Sequence, residues 1–172
     1  MADFRALILT MMAAGLAGMA QATPLEDKVA TTYSDALKKT DAAGATALKS
    51  GQKEFERRRA ACPAKDKDKC VREANEKRIA ELQVRYKLIP GHGPFKFACD
   101  ADPKKVVEVM FYDTTPQTLF AEWGGKTSLM YVQPSASGAR YEGLNETFWE
   151  HHGIARIIWG RKTSEMYCKA TA

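Results

Sequence analysis

Most of the short motifs that announce an enzyme are missing from this chain of 172 residues. It has no C-x-x-C pair, no H-E-x-x-H, no G-x-S-x-G and no glycine loop of the kind that cradles phosphate. Those absences remove the usual signatures of zinc sites, metalloproteases, α/β-hydrolases and nucleotide binding. Ser50-Gly51-Gln52-Lys53 spells S-x-x-K, but it lies in a polar helical stretch and neither S-D-N nor K-T-G accompanies it. No catalytic residue, metal or cofactor is expected. A long hydrophobic run is missing too. The apolar segment from Ala6 to Met19 is interrupted by Gly15 and Gly18, and it falls short of the roughly 20 residues that span a bilayer.

What that segment resembles is an export signal. Arg5 precedes it and Ala20-Gln21-Ala22 closes it with small residues at both ends, so cleavage before Thr23 is expected. No cysteine lies near that point, so no lipid anchor is expected and the mature protein should be soluble in the periplasm or outside the cell. The four cysteines, Cys62, Cys70, Cys99 and Cys168, all follow it, as befits an oxidising compartment. They allow three pairings. Local pairing, Cys62 with Cys70 and Cys99 with Cys168, is favoured by the short loop in one case and the bracketing of the second half in the other. Loop closure assigns about 4 kcal/mol to the long bridge and roughly 2.5 kcal/mol to the short one.

Charge is unevenly placed. Sixteen Lys or Arg face eleven Asp or Glu between Thr23 and Pro94, whereas the count from Phe95 onward is nine of each. The basic excess is interleaved with acids, and its dense run, Arg57-Arg58-Arg59, reads as a solvated helix face. Together with export this argues against a nucleic-acid partner.

The pattern of apolar residues changes period midway. Leu25, Val29, Tyr33, Ala36 and Leu37 give a helical stripe. A second helix is expected over 45–61 with Leu48 and Phe55 inward, and a third from Cys70 to about Leu88 with Val71, Ala74, Ile79, Leu82 and Tyr86 inward. A Cys62–Cys70 bridge would staple these two helices. Leu88-Ile89-Pro90-Gly91-His92-Gly93-Pro94 then reads as a linker, with His92 exposed in it. Beyond it the period is two: strands are expected near 96–99, 105–112, 117–123, 126–132, 139–141, 146–150, 155–159 and 166–168, with Gly124-Gly125 as a hairpin turn. Seven or eight strands without room for crossover helices indicate an antiparallel barrel or sandwich, and a bridge from first strand to last suits a small barrel. The expected organisation is therefore α+β: signal 1–22, helical unit 23–88, linker 89–94 and β-barrel unit 95–172.

Two resemblances sharpen this. Glu56-Arg57-Arg58-Arg59-Ala60-Ala61-Cys62, Cys70-Val71-Arg72-Glu73 and Arg78-Ile79-Ala80-Glu81-Leu82 resemble the N-terminal helical module of LprI-type proteins, which are linked to lysozyme inhibition. Ser135-Ala136-Ser137-Gly138-Ala139-Arg140-Tyr141, then Phe148-Trp149, resembles the signature loops of the MliC/PliC family, periplasmic inhibitors of c-type lysozymes. Cys99 and Cys168 stand where that family has its disulfide. The resemblance implies a barrel whose loops enter the lysozyme cleft, with Ser137, Gly138, Tyr141, Trp149 and His151 as contact residues and c-type lysozyme as the partner.

One of those positions departs from the family. A lysine is expected two residues after the tryptophan, to sit between the two catalytic carboxyl groups of a retaining glycosidase. Here that position is His151. Histidine as a residue type carries its charge only part of the time near neutral pH, so a weakened form of inhibition is expected. His152 is a second candidate, although strand neighbours ordinarily point to opposite faces. The alternative function is a non-inhibitory envelope module whose barrel binds a wall component or a small apolar ligand. Which lysozyme is met, and whether the chain forms a homodimer, are left open by the sequence.

Overall fold

The computed structural model describes residues 23–171; the segment read as an export signal lies outside them. Three helices come first: α1 (Pro24–Lys38), α2 (Ala42–Ala60) and α3 (Lys67–Arg85), with a single 3₁₀ turn at Ala64–Asp66 before α3. Thr23 starts α1 through a capping box: its hydroxyl accepts from the Glu26 amide, and the Glu26 carboxylate accepts from the Thr23 amide at 2.9 Å. That reciprocal pair satisfies two amides that the first turn cannot. Asp41 caps α2 in the simpler way, accepting from the Gly44 amide at 2.8 Å.

The helices bury the stripes that the periodicity marks. Val29, Phe55 and Ile79 form one cluster and Ala36, Leu48 and Leu82 another. Leu82 and Ala36 are wholly buried, and burial of a leucine side chain contributes roughly 1.5–3 kcal/mol. Cys62 and Cys70 are joined, linking the end of α2 to the start of α3.

Eight strands follow: β1 (His92–Cys99), β2 (Asp102–Tyr112), β3 (Thr118–Trp123), β4 (Lys126–Gln133), β5 (Ala139–Glu142), β6 (Glu146–His151), β7 (Ile154–Trp159) and β8 (Met166–Thr171). They close into an antiparallel up-and-down barrel in sequence order. Closure is made by β1 against β8, where Phe97 faces Ala170 and Cys99 faces Cys168. Those two cysteines are bonded. Alternation fills the interior with Phe97, Val107, Val109, Leu119, Ala121, Met130, Phe148, Ala155 and Ile157, which leaves a packed core, as eight strands allow. At Gly124 and Gly125 both φ angles are positive, 57° and 72°, the conformation a two-residue hairpin requires.

Several bounds differ from the sequence reading: α3 and β2 each begin three residues earlier than expected, at Lys67 and Asp102, and β8 runs on to Thr171. β1 begins at His92, inside the segment read as linker, and pairs there with Phe111. Edge residues of a strand tolerate Gly and Pro because only some of their amides enter the ladder. α2 begins three residues earlier than expected, since Asp41 caps it. Most consequentially, the outer face of the barrel is not all wet. Met110, Tyr112, Phe120, Leu129 and Tyr131 project outward from β2–β4 and pack with Val84 of α3 and Ile89. The Tyr131 hydroxyl donates to the Lys77 carbonyl of α3 at 3.3 Å, and burial raises the pKa of that phenol.

Candidate functional site

Antiparallel order places the β4–β5 loop (134–138) and the β6–β7 turn (152–153) at the same end of the barrel. The pairing of Ala139 with Glu150 and of Arg140 with Trp149 brings their bases side by side. Gly138 fixes how close they come. Its φ is +68°, and a Cβ there would lie 2.1 Å from the Glu150 carbonyl oxygen. Only glycine accommodates both conditions, because the obstacle is backbone and cannot rotate away.

Ser137 sits at the exposed tip of the first loop. Its carbonyl accepts from the Ser135 hydroxyl at 2.6 Å and from the Trp149 indole Nε1–H at 2.9 Å. The tryptophan thus ties the loop to β6. On the second turn, His151 is the last residue of β6 and is exposed. His152 has left the strand, with φ +53°, and its ring stands 4.0 Å from that of His151, tilted by 60°. The alternation expected of strand neighbours therefore fails here: the two imidazoles lie together because the chain turns between them. The Glu150 carboxylate accepts from the Gly153 amide at 2.6 Å and so holds the turn closed.

Ser137, Gly138, Trp149 and His151 are gathered at this one end. Tyr141 is not. Its ring lies inside the barrel, 7 % exposed, against Phe111 at 5.7 Å. Burial, and secondarily the charge of Asp113, raises its pKa. Tyr141 faces inward because β5 pairs it with the core residue Phe148. His92 is exposed as expected, but it opens β1 and does not lie in a linker, and its Nε2 lies 3.0 Å from the Asp113 carboxylate. Ser50-Gly51-Gln52-Lys53 is a structural element of α2, where Gln52 accepts from buried Arg78 at 3.1 Å.

Sequence reasoning missed a group beside the site. Arg156 on β7 lies between the rings of Trp149 and Tyr167, 5.3 and 5.7 Å from their centroids. Glu165 accepts from its Nε and Nη2 at 3.0 and 2.7 Å, and those hydrogen bonds raise the guanidinium pKa further. The signal was available: Trp149, Arg156 and Tyr167 are all on outward positions of adjacent hairpins.

Among the described residues no group of three or more His, Cys, Asp or Glu is arranged to hold a metal ion, and no helix is long and apolar enough to cross a membrane. The site brings a serine hydroxyl, two imidazoles and an indole together at one end of the barrel.

A small closed barrel of eight antiparallel strands, bridged between first and last and presenting two adjoining loops, is the class this architecture defines. Residues 97–166 match the family model described as membrane-bound lysozyme-inhibitor of c-type lysozyme, MliC. The C-terminal region is an MliC-type domain. The chain is also similar to lipoprotein LprI of Mycobacterium tuberculosis and of Mycobacterium bovis, at 29 % identity over 139 residues. That alignment takes in 80 % of this chain and 68 % of the relatives, so it is longer than either half and runs through both helices and barrel. No solved structure matches the chain significantly.

Proposed function

We propose that this protein is an exported inhibitor of c-type lysozyme that acts by placing the Ser137 loop and the His151 turn in the enzyme's active-site cleft. The observation that carries the reading is the fit of the two loops: Gly138 against the Glu150 carbonyl, and the Trp149 indole on the Ser137 carbonyl. Such mutual bracing means little is lost in ordering the loops on binding, which is how a rigid surface gains affinity. The MliC description of residues 97–166 supplies the class of target.

In the cleft, the Ser137 hydroxyl serves as a hydrogen-bond donor to a carboxylate. His151 stands where the resemblance expects a cation, and its ring N–H is the donor it offers to the paired carboxyls of a retaining glycosidase. Gly138 and Trp149 hold this arrangement, and Tyr141 supports it from within the barrel. The protein carries out no reaction of its own. Its place of action is the envelope, in keeping with relatives named as lipoproteins.

The test is direct: purified protein, titrated into a c-type lysozyme with a cell-wall substrate, lowers the rate of lysis with a 1:1 stoichiometry. Full lysozyme activity at micromolar protein against a panel of c-type enzymes overturns the proposal and favours a non-inhibitory envelope module.

A further inference from the structure

We infer that the outer face of β6–β8 is a second contact surface for the same lysozyme, flanking the loops; the inference rests on the function proposed above. Trp149 and Arg156 are register partners across β6 and β7, as are Arg156 and Tyr167 across β7 and β8. They make a stack of ring, guanidinium and ring. His151 and Ile154 complete a groove of about 320 Å³ beside it.

Three features mark this face as built for contact. The first is exposure of apolar surface: Tyr167 and Ile154 are 57 % and 44 % exposed. The apolar residues on the opposite outer face, by contrast, lie under α3. The second is preorganisation. Glu165 and two rings hold Arg156, yet its side chain remains 43 % exposed, the combination that makes arginine and aromatics effective anchors. The third is charge. The Arg156 guanidinium lies between two rings with Glu165 on one edge, and Lys169 is the register partner of Ile154 beside it.

Continuity names the occupant. Trp149 belongs to both surfaces, stacking on Arg156 while its Nε1–H holds the Ser137 carbonyl. A partner seated on the loops therefore meets this face next. The enzyme whose cleft receives Ser137 is expected to place an apolar side chain in the groove and an acidic group near Arg156.

The experiment measures inhibition constants for the full chain carrying Tyr167→Ala or Ile154→Ser. Each is expected to weaken inhibition roughly 10-fold, the loss of one buried contact in an interface. Tyr167→Phe, which keeps the ring, should stay within about twofold of the parent. Leu144→Ala, an exposed residue at the opposite end of the barrel, should change nothing. Tryptophan emission checks that each variant is folded. If the parent inhibits and the Tyr167→Ala, Ile154→Ser double variant inhibits equally well, this second surface is wrong while the loop reading stands. If the double variant inhibits normally but no longer pulls down with insoluble cell-wall polysaccharide, the face serves sugar and the inference is likewise overturned. If the parent neither binds nor inhibits any c-type lysozyme, both readings fall together.

Discussion

Gly138 and Ser137 show how much of the site resides in backbone geometry. A methyl group on Gly138 would collide with a carbonyl oxygen at 2.1 Å in a left-handed conformation. Gly138→Ala should therefore lower stability by about 1–3 kcal/mol and displace the loop, so that thermal unfolding and inhibition decline together. Unchanged values for both would show the loop can re-form elsewhere. Ser137→Ala removes only the hydroxyl, because the Trp149 indole uses the backbone carbonyl. It should leave the unfolding temperature unaltered and weaken inhibition by roughly 1.5–3 kcal/mol, the value of a hydrogen bond to a charged group. His151 stands where the resemblance expects a lysine, so His151→Lys places a permanent charge against the paired carboxyls and should tighten inhibition, whereas His151→Ala should weaken it. A His151→Ala variant that inhibits as well as the parent would discard the role given to His151. The resemblance carried by the Ser-Gly and Phe-Trp motifs picked these positions out, and the fold gathers Ser137, Gly138, Trp149 and His151 at one end of the barrel. Tyr141, named with them, faces inward, which a four-residue strand has too little alternation to reveal.

At the scale of elements, period did most of the work. The eight strands fall where alternation and glycine turns place them, because a closed barrel has one wet side and one dry side for most of its circumference. The helices follow their stripes and caps. Asp41→Ala removes the N-cap of α2 and should cost about 1 kcal/mol, visible as a lower thermal midpoint. What the sequence did not disclose is the second apolar face of β2–β4. Met110 and Tyr112, which face outward, alternate with the inward Val109 and Phe111, so that β2 reads as apolar on both sides. That double pattern is the mark of a strand covered on two faces, and in hindsight it pointed to α3. The bridge between β1 and β8 has a different role, tying the two strands that close the barrel. Replacing both Cys99 and Cys168 by alanine should lower stability by about 2–5 kcal/mol. Non-reducing peptide mapping of exported protein should find Cys99 joined to Cys168 and Cys62 to Cys70.

The whole molecule poses the question of whether helices and barrel are one cooperative unit or two. Each has its own core and its own disulfide, which supports two units able to fold separately. The contact of Val84 and Ile89 with Tyr112, Leu129 and Tyr131 couples them. The chain carries a probe for each half. All three tryptophans, Trp123, Trp149 and Trp159, lie in the barrel, whereas far-ultraviolet ellipticity at the helix minimum reports α1–α3. In the full chain the two signals should unfold at the same denaturant concentration, as a coupled system requires. A fragment beginning at Gly91 should still unfold cooperatively by tryptophan emission, because its interior is complete without the helices. Its midpoint should be lower, and it should self-associate, since Met110, Phe120 and Leu129 would then be bare on one face. Tyr131→Ala in the full chain removes both a ring packed at that contact and the hydroxyl that donates to the Lys77 carbonyl, and should separate the two transitions. If the full chain already shows two well-separated transitions and the fragment matches the stability of its barrel, the face against α3 contributes nothing and the halves are merely tethered. If the fragment is unfolded, the helices are part of the barrel's own folding unit, and the boundary near Gly91 is misplaced.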